Sequence, residues 1–318
     1  MRWFWFLLAA LAAHAQLRLA QTIPLAGVEG RIDHLAADAS GGRLFVAALG
    51  HGTMEVIDLS AGRPVRSLRG FAEPQGIAWL PDLGRLYVAS GGDGRCAIFD
   101  GALAPAGEAA FGADADNVRY DPSAKRVWVG YGEGALGEVD ATAGKRLGNV
   151  PLAAHPESFQ LERHGARIFV NVPKAGHVAV VDRRRREVTA RWATPGAAAN
   201  YPMALDEEHG RLLVGCRKPP QVLVYDTANG QVTARFGCPG DTDDLFYDAA
   251  RRRVYVSGGE GTVGVFRQAA ADRYEPLDTV RTAAGARTSL FVPALGRLYV
   301  AVPHRGAQGA AILVYQTE

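Results

Sequence analysis

Short apolar runs recur along the chain at nearly constant spacing, each opened by an arginine. They are GRLFV at Arg43, GRLYV at Arg85, KRVWV at Arg126, ARIFV at Arg167, GRLLV at Arg211, RRVYV at Arg253 and GRLYV at Arg297. The steps between successive arginines are 42, 41, 41, 44, 42 and 44 residues. The six residues GRLYVA are spelled twice, at 84–89 and at 296–301. Such regularity means one structural unit repeated seven times.

Each unit carries four strand signals. In the first copy RLFVAAL, TMEVIDL and PVRSL are rich in β-branched and aromatic residues and are separated by turn residues. A further strand, such as IAWLP or VRYDP, precedes each arginine across a turn of Asp, Pro, Gly or Ala-Arg. The third strand ends in Asp in five copies, at Asp58, Asp100, Asp140, Asp182 and Asp226. No stretch from 30 to 318 has helical periodicity long enough for a helix. Four strands per unit and a period in the low forties predict an all-β fold, a seven-bladed β-propeller of four-stranded blades. The last copy stops one strand short. The segment at 19–26 would supply that strand, closing the ring and removing an open sheet edge.

In such a disc the turns ASGGR, PDLGR, DPSAKR, EEHGR, AARRR and PALGR share one face and read as interchangeable framework. The other face varies from blade to blade. Counting back from each arginine, the positions eight and six places earlier are mostly apolar and read as core. They are Leu35, Ile77, Val118, Phe159, Met203 and Leu245 in one column, and Trp79, Tyr120, Leu161, Leu205, Tyr247 and Phe291 in the other. Ten places back, strand phase calls for more core, yet the column reads Asp33, Gln75, Asp116, Glu157, Tyr201, Asp243 and Arg287. The next column adds His34, Asn117, Ser158, Asp244 and Thr288, and slightly earlier lie His155, Asn200 and Asp241. Capping of strand ends by short polar residues is one explanation. A ligand pocket at the channel mouth, built from Asp33, His34, Asp116, Asn117, His155, Glu157, Asn200, Asp241, Asp243, Asp244 and Arg287, also accounts for the Glu, Arg and His. Facing carboxylates repel, so they call for a cation or raised pKa values. A divalent metal ion is one candidate, with Asp116, Glu157 and Asp243 as its ligands, and Arg287 could neutralise the ring instead. The rim would carry His51, Asp93, Glu133, Lys174, His177, Arg217, Lys218, Glu260, His304 and Arg305.

Residues 1–15, MRWFWFLLAALAAHA, have an early Arg, an apolar run and a small-x-small end, which predicts a secretory signal peptide; an uncleaved anchor is the alternative. Residues 16–318 are then one exported propeller domain, periplasmic or extracellular, with no membrane span after cleavage and a monomer expected. The 33 acidic and 35 basic side chains give a net charge of +2, which does not suggest nucleic acid or an anionic membrane as partner. The run Arg183-Arg184-Arg185-Arg186 reads as a solvated turn. Of three cysteines, Cys216 and Cys238 end strands on the same face, so a disulfide is geometrically allowed, and Cys96 reads as a small buried residue.

The segments LFVAALGHGTMEVIDLSAGRPV and YVSGGEGTVGVF resemble the YVTN repeat: a Tyr-Val strand, a Gly-rich turn and a Val-rich strand ending in Asp. From about residue 20 to 318 the chain is similar to exported bacterial propellers of the YncE-like YVTN group. That resemblance implies the propeller fold and a binding role, and it carries over no catalytic residue. Lactonase-type propellers hold a metal in the channel, but their Glu-Gly-Pro and Arg-Pro-Asn-Gly stretches are missing here, as is any haem Cys-x-x-Cys-His of quinoprotein propellers. Two functions follow: a module binding a small molecule, an ion or a partner protein, or a metal-dependent hydrolase or lactonase using the same mouth.

Overall fold

The second strand of every repeat is apolar at nearly every position because both of its faces are covered. Leu44 and Val46 pack toward one neighbouring blade and Phe45 and Ala47 toward the other, all of them fully buried. The fourth strands show the opposite pattern. Glu187–Ala193 alternates between exposed and half-buried positions, as a strand with one wet face must.

The computed structural model describes residues 17–318 and contains seven antiparallel four-stranded sheets. Their inner strands touch in cyclic order, the seventh returning to the first, so the blades form a closed ring. Seven hydrophobic clusters hold it, one in each wedge between successive blades. Among the described residues the only helical segments are 3-10 turns at Leu49–His51, Pro173–Ala175 and Pro293–Leu295. None of the described helices is long and apolar enough to cross a membrane. The predicted signal peptide, residues 1–15, lies outside the described residues.

Closure occurs as the repeat count requires. Leu17–Pro24 pairs antiparallel with Ala311–Thr317, from Leu17 opposite Thr317 to Pro24 opposite Ala311. The strand therefore starts and stops two residues before the predicted span. Ile23 is 1% exposed within the cluster between blades seven and one, and Leu17 belongs to the cluster between blades six and seven. The closing strand thus tightens two wedges as well as completing a sheet.

Two further expectations change and one open alternative is decided. The four arginines at 183–186 are not simply solvated: Arg183 crosses to Asp121 of blade three at 3.3 Å, and Arg186 reaches Glu138 of the same blade at 2.5 Å. Arg185, paired with Glu187 of its own blade at 2.9 Å, is the most exposed of the ion-paired members. A turn at the rim of one blade overhangs the next, so its charges find partners there. Cys216 and Cys238 are free thiols rather than a disulfide, as is Cys96, and burial pushes all three up to about 12. The column eight places before each arginine is buried, whereas the one six places before is only half-buried in every blade but the seventh.

Candidate functional site

Strand alternation places core where the sequence has the polar column, and a β-bulge resolves the conflict. In blade one the amide of Asp33 donates to the Ala47 carbonyl while the amide of Ala47 donates to the His34 carbonyl, so two residues oppose one. Blade four repeats this with Glu157 and Ser158 opposite Asn171. In blades two, three and five the pairing skips from Pro74 to Ile77, from Ala115 to Val118 and from Asn200 to Met203, leaving two residues opposite Ala89, Gly130 and Gly215. Blade six slips between Thr242 and Asp244. The extra residue resets the side-chain phase, and bulges are a common device for re-aiming a side chain next to a site.

The chain bends sharply just before the bulge. Glu73, Asp114, Ala199, Asp241 and Gly285 occupy the same position, two residues before the polar column, and all have positive φ, between 38° and 79°. Left-handed backbone costs a non-glycine residue about 1 kcal/mol, so four blades retain a strained residue at this one place. Gly76 meets a different demand, because a Cβ there would lie 2.1 Å from the Asp116 carbonyl oxygen of the adjacent blade.

These turns bring side chains from all seven blades to one axial cavity of about 400 Å³, lined among others by Arg31, Gln75, Asp116, Glu157, Tyr201, Asp243 and Arg287. Below it lies a pocket of about 20 Å³ that shares Arg31, Asp116, Glu157, Tyr201 and Asp243 with it and adds Asp33, His34, Asn117 and Ser158. The deeper set is well shielded: Asp33 is 2% exposed, Asn117 1% and Asp116 7%.

The charges are interleaved across blades. Arg31 reaches Asp33 at 2.7 Å. Asp243 is gripped by Arg217 of blade five at 2.5 Å and Arg287 of blade seven at 2.9 Å, and Asp241 also lies against both arginines. The Arg217 guanidinium sits 3.8 Å from the centre of the Tyr201 ring, a cation–π contact. Asp116 is held more loosely. His34 Nε2 is 3.9 Å from its Oδ1 and His155 Nε2 is 3.9 Å from its Oδ2, too far for hydrogen bonds. Asp116 Oδ1 is buried with no hydrogen-bond partner among the described residues.

Proton affinities follow from this packing. Burial, with the like charges of Asp116 and Asp243, pushes Glu157 up to about 8, so it is largely neutral at pH 7. Burial raises Asp244 to about 7. Burial lowers the affinity of His155 for its proton, but Asp116, the Gly132 carbonyl at 2.6 Å and Asp114 outweigh it and lift the imidazole to about 9. His34 is likewise raised, against its burial, by Asp33, Asp244 and Asp116. Asp116 ends below its ordinary value because the two histidines and Arg31 overcome its burial.

Eight of the eleven candidate residues thus line the two cavities: Asp33, His34, Asp116, Asn117, His155, Glu157, Asp243 and Arg287. Three do not. Asn200 is fully buried, its amide bridging Asn171 and the His177 carbonyl across blades four and five. Asp244 accepts the Ser289 amide of blade seven at 2.7 Å. For these two, capping between blades is the better account. Asp241 stands behind Arg217 and Arg287 as their counter-charge. Of the proposed rim, Lys174 and Arg217 reach the cavity. Arg31 and Asp114 are lining residues outside the candidate set. They lie two residues before the polar column, in phase with it, and extending the column by one strand period finds both.

The divalent-metal expectation fits poorly. Among the described residues no three His, Cys, Asp or Glu side chains are placed to share an ion. The carboxylates proposed as its ligands are neutralised instead by arginines, histidines and a proton on Glu157.

No family model matches the chain, and no curated protein does. Solved structures do. The chain is similar to a chain of the mitotic checkpoint complex at TM-score 0.80 and 13% identity, covering 99% of this chain and 98% of that one. A chain of the hydrazine synthase of Kuenenia stuttgartiensis matches at TM-score 0.80 and 14% identity, covering 96% and 98%. The WD40 repeats of RRP9 match at TM-score 0.81 and 10% identity, again covering 96% and 98%. At such identities the likeness establishes the propeller fold and nothing finer.

Proposed function

We propose that this chain is an exported binding protein of the YncE-like YVTN group whose axial cavity holds a small polar ligand. The carrying observation is that all seven blades contribute to one cavity, six of them through a column that contains no aliphatic residue and blade one through Arg31 beside it. A propeller needs no such column to close, and one filled with apolar side chains would add core. Binding sites concentrate in concavities with convergent polar groups on loops set by a rigid frame. Two titrating residues within it, Glu157 and His155, are also strongly perturbed, as functional sites tend to be. Protein partners remain compatible with the fold, since chains of protein complexes are among its structural neighbours. The metal-dependent hydrolase reading is weaker, because its three ligands are not assembled.

The test is native mass spectrometry of the mature chain equilibrated with a mixture of small polar metabolites, beside a Gln75→Trp variant. Gln75 is half-buried in the cavity lining, and an indole there would occupy its space. The proposal expects a small molecule retained at one per wild-type chain and not by the variant. Equal retention by both, or none by either, contradicts it.

A further inference from the structure

The cavity is polar along its axis as well as around it. Its deep pocket carries four carboxyl groups, from Asp33, Asp116, Glu157 and Asp243, against Arg31 and His34. The outer cavity adds Lys174, Arg217, Arg287 and His155 with only Asp114 as a new carboxylate. Lys174 is exposed and has no carboxylate partner among the described residues. One end is therefore short of hydrogen-bond donors and the other has a cation to spare.

Resting on the binding reading above, we propose that the ligand is a small zwitterion, a primary amine joined to a carboxylate. Its ammonium group would sit at the deep end against Asp116 and Glu157, and its carboxylate outside against Lys174 and Arg217. Asp116 lines the deep pocket and is 7% exposed, and its buried Oδ1 has no hydrogen-bond partner among the described residues. A buried carboxylate oxygen without a donor costs about 1–3 kcal/mol or more, and the histidines flanking it stop 3.9 Å away. An N–H donor about the size of a water molecule meets the need, and the pocket of about 20 Å³ admits little more. A protonated amine is such a donor. Inorganic divalent cations lack a third ligand among the described residues, and the His155 imidazole, lifted to about 9, holds its proton and cannot ligate. A quaternary ammonium has charge but no N–H to give.

An ammonium beside Glu157 also favours that group's ionised form, against the burial and the like charges of Asp116 and Asp243 that now hold a proton on it. Binding should then release protons near pH 7. His155, His34 and Arg31 face the same space and oppose this through their own repulsion of the ligand.

The experiment is isothermal titration of the mature chain with the proteinogenic amino acids and short ω-amino acids, in two buffers of different ionisation enthalpy. The tightest binder is then compared with its N-acetyl derivative, its methyl ester and its trimethylammonium analogue. We expect at least one amino acid to bind with proton release, and both the N-acetyl and trimethylammonium forms to bind at least tenfold more weakly. Asp116→Asn should lose the preference for the free amine, and Lys174→Ala the preference for the free acid. The analogue comparison needs no variant, so misfolding of Asp116→Asn leaves the test intact. An N-acetyl derivative as tight as its parent, or a panel with no binder, overturns the inference. A ligand without an amine retained in the mass-spectrometric test would overturn it while leaving the binding reading standing; no retained ligand of any kind would sink both.

Discussion

Carboxylates stand at both ends of the inner strands, and the two sets are held differently. At the hairpin end Asp38, Asp121, Glu162, Asp206 and Asp248 recur five residues before the marker arginine, and each bonds first to its own turn. Asp38 takes the Gly41 amide, the Ser40 hydroxyl and a two-pronged contact from Arg43. At the axial end Asp116 and Asp243 find their counter-charges on other blades, and one oxygen of Asp116 finds no hydrogen bond. A carboxylate satisfied within its own repeat can be copied with the repeat, and that is framework. One satisfied only across blades depends on six neighbours that differ, and that is where a site can be built. The pKa directions divide within the axial set: Arg43 and the turn donors hold Asp38 below its ordinary value despite its burial, and charges on other blades do the same for Asp116, whereas burial raises Glu157 to about 8.

The largest effect should come from removing what both ends share. Deleting Leu17–Pro24 opens the ring and uncovers the clusters on either side of blade seven, so the melting temperature should fall by more than about 10 °C, measured by calorimetry. A melt unchanged by the deletion would mean that the ring does not depend on its closing strand, and the two ends could not be compared as parts of one frame.

Next is the response to pH. Glu157 and Asp244 have folded pKa values raised to about 8 and 7, so between their ordinary values and these the folded chain holds protons that the unfolded chain has lost. His155, raised to about 9, adds stability present below about 6.5 and lost as pH rises toward 9. All three act in the same sense. Unfolding free energy should drop by about 2–4 kcal/mol between pH 6 and 9, read from urea melts. A rising or flat profile would deny the axial carboxyls their unusual state.

Asp38→Asn should cost about 2 kcal/mol by leaving Arg43 partly unpaired in a half-buried setting, and it should leave ligand binding untouched. A loss of binding in that variant would blur the division between the ends. The smallest effect belongs to Arg185→Ala, which removes only an exposed pair with Glu187 and should change stability by less than about 0.5 kcal/mol.

The fold was legible because its cause is repetition. The marker arginine and the doubly buried strand behind it recur at fixed spacing, and one count gives the blades, the wedges and the missing strand that closes them. The site was legible only as an exception to strand phase. Asp33, Asp116 and Glu157 stood out as polar where core was due, while the bulge that turns them lies in hydrogen bonds between strands and leaves no residue signature. Asn200 and Asp244 share the residue types of the site yet are spent on the neighbouring blade, a difference set by where the next blade's amides fall. Arg183 and Arg186 escaped for the same reason, since a partner on another blade is invisible along the chain.

The central claim is that the two ends treat the same chemical group in opposite ways, and a carboxylate-to-amide change at Glu157 tests it most directly. Urea melts of wild type and Glu157→Gln should be compared from pH 6 to 9, with Asp38→Asn as reference. The account predicts that Glu157→Gln is the more stable chain at pH 8, by about 1–2 kcal/mol, with a visibly flatter profile, because the amide has no proton to lose. Asp38→Asn should run below wild type and parallel to it, since Asp38 is ionised in both states throughout that range. A Glu157→Gln profile that is also parallel to wild type and below it would place Glu157 with the framework and contradict the account.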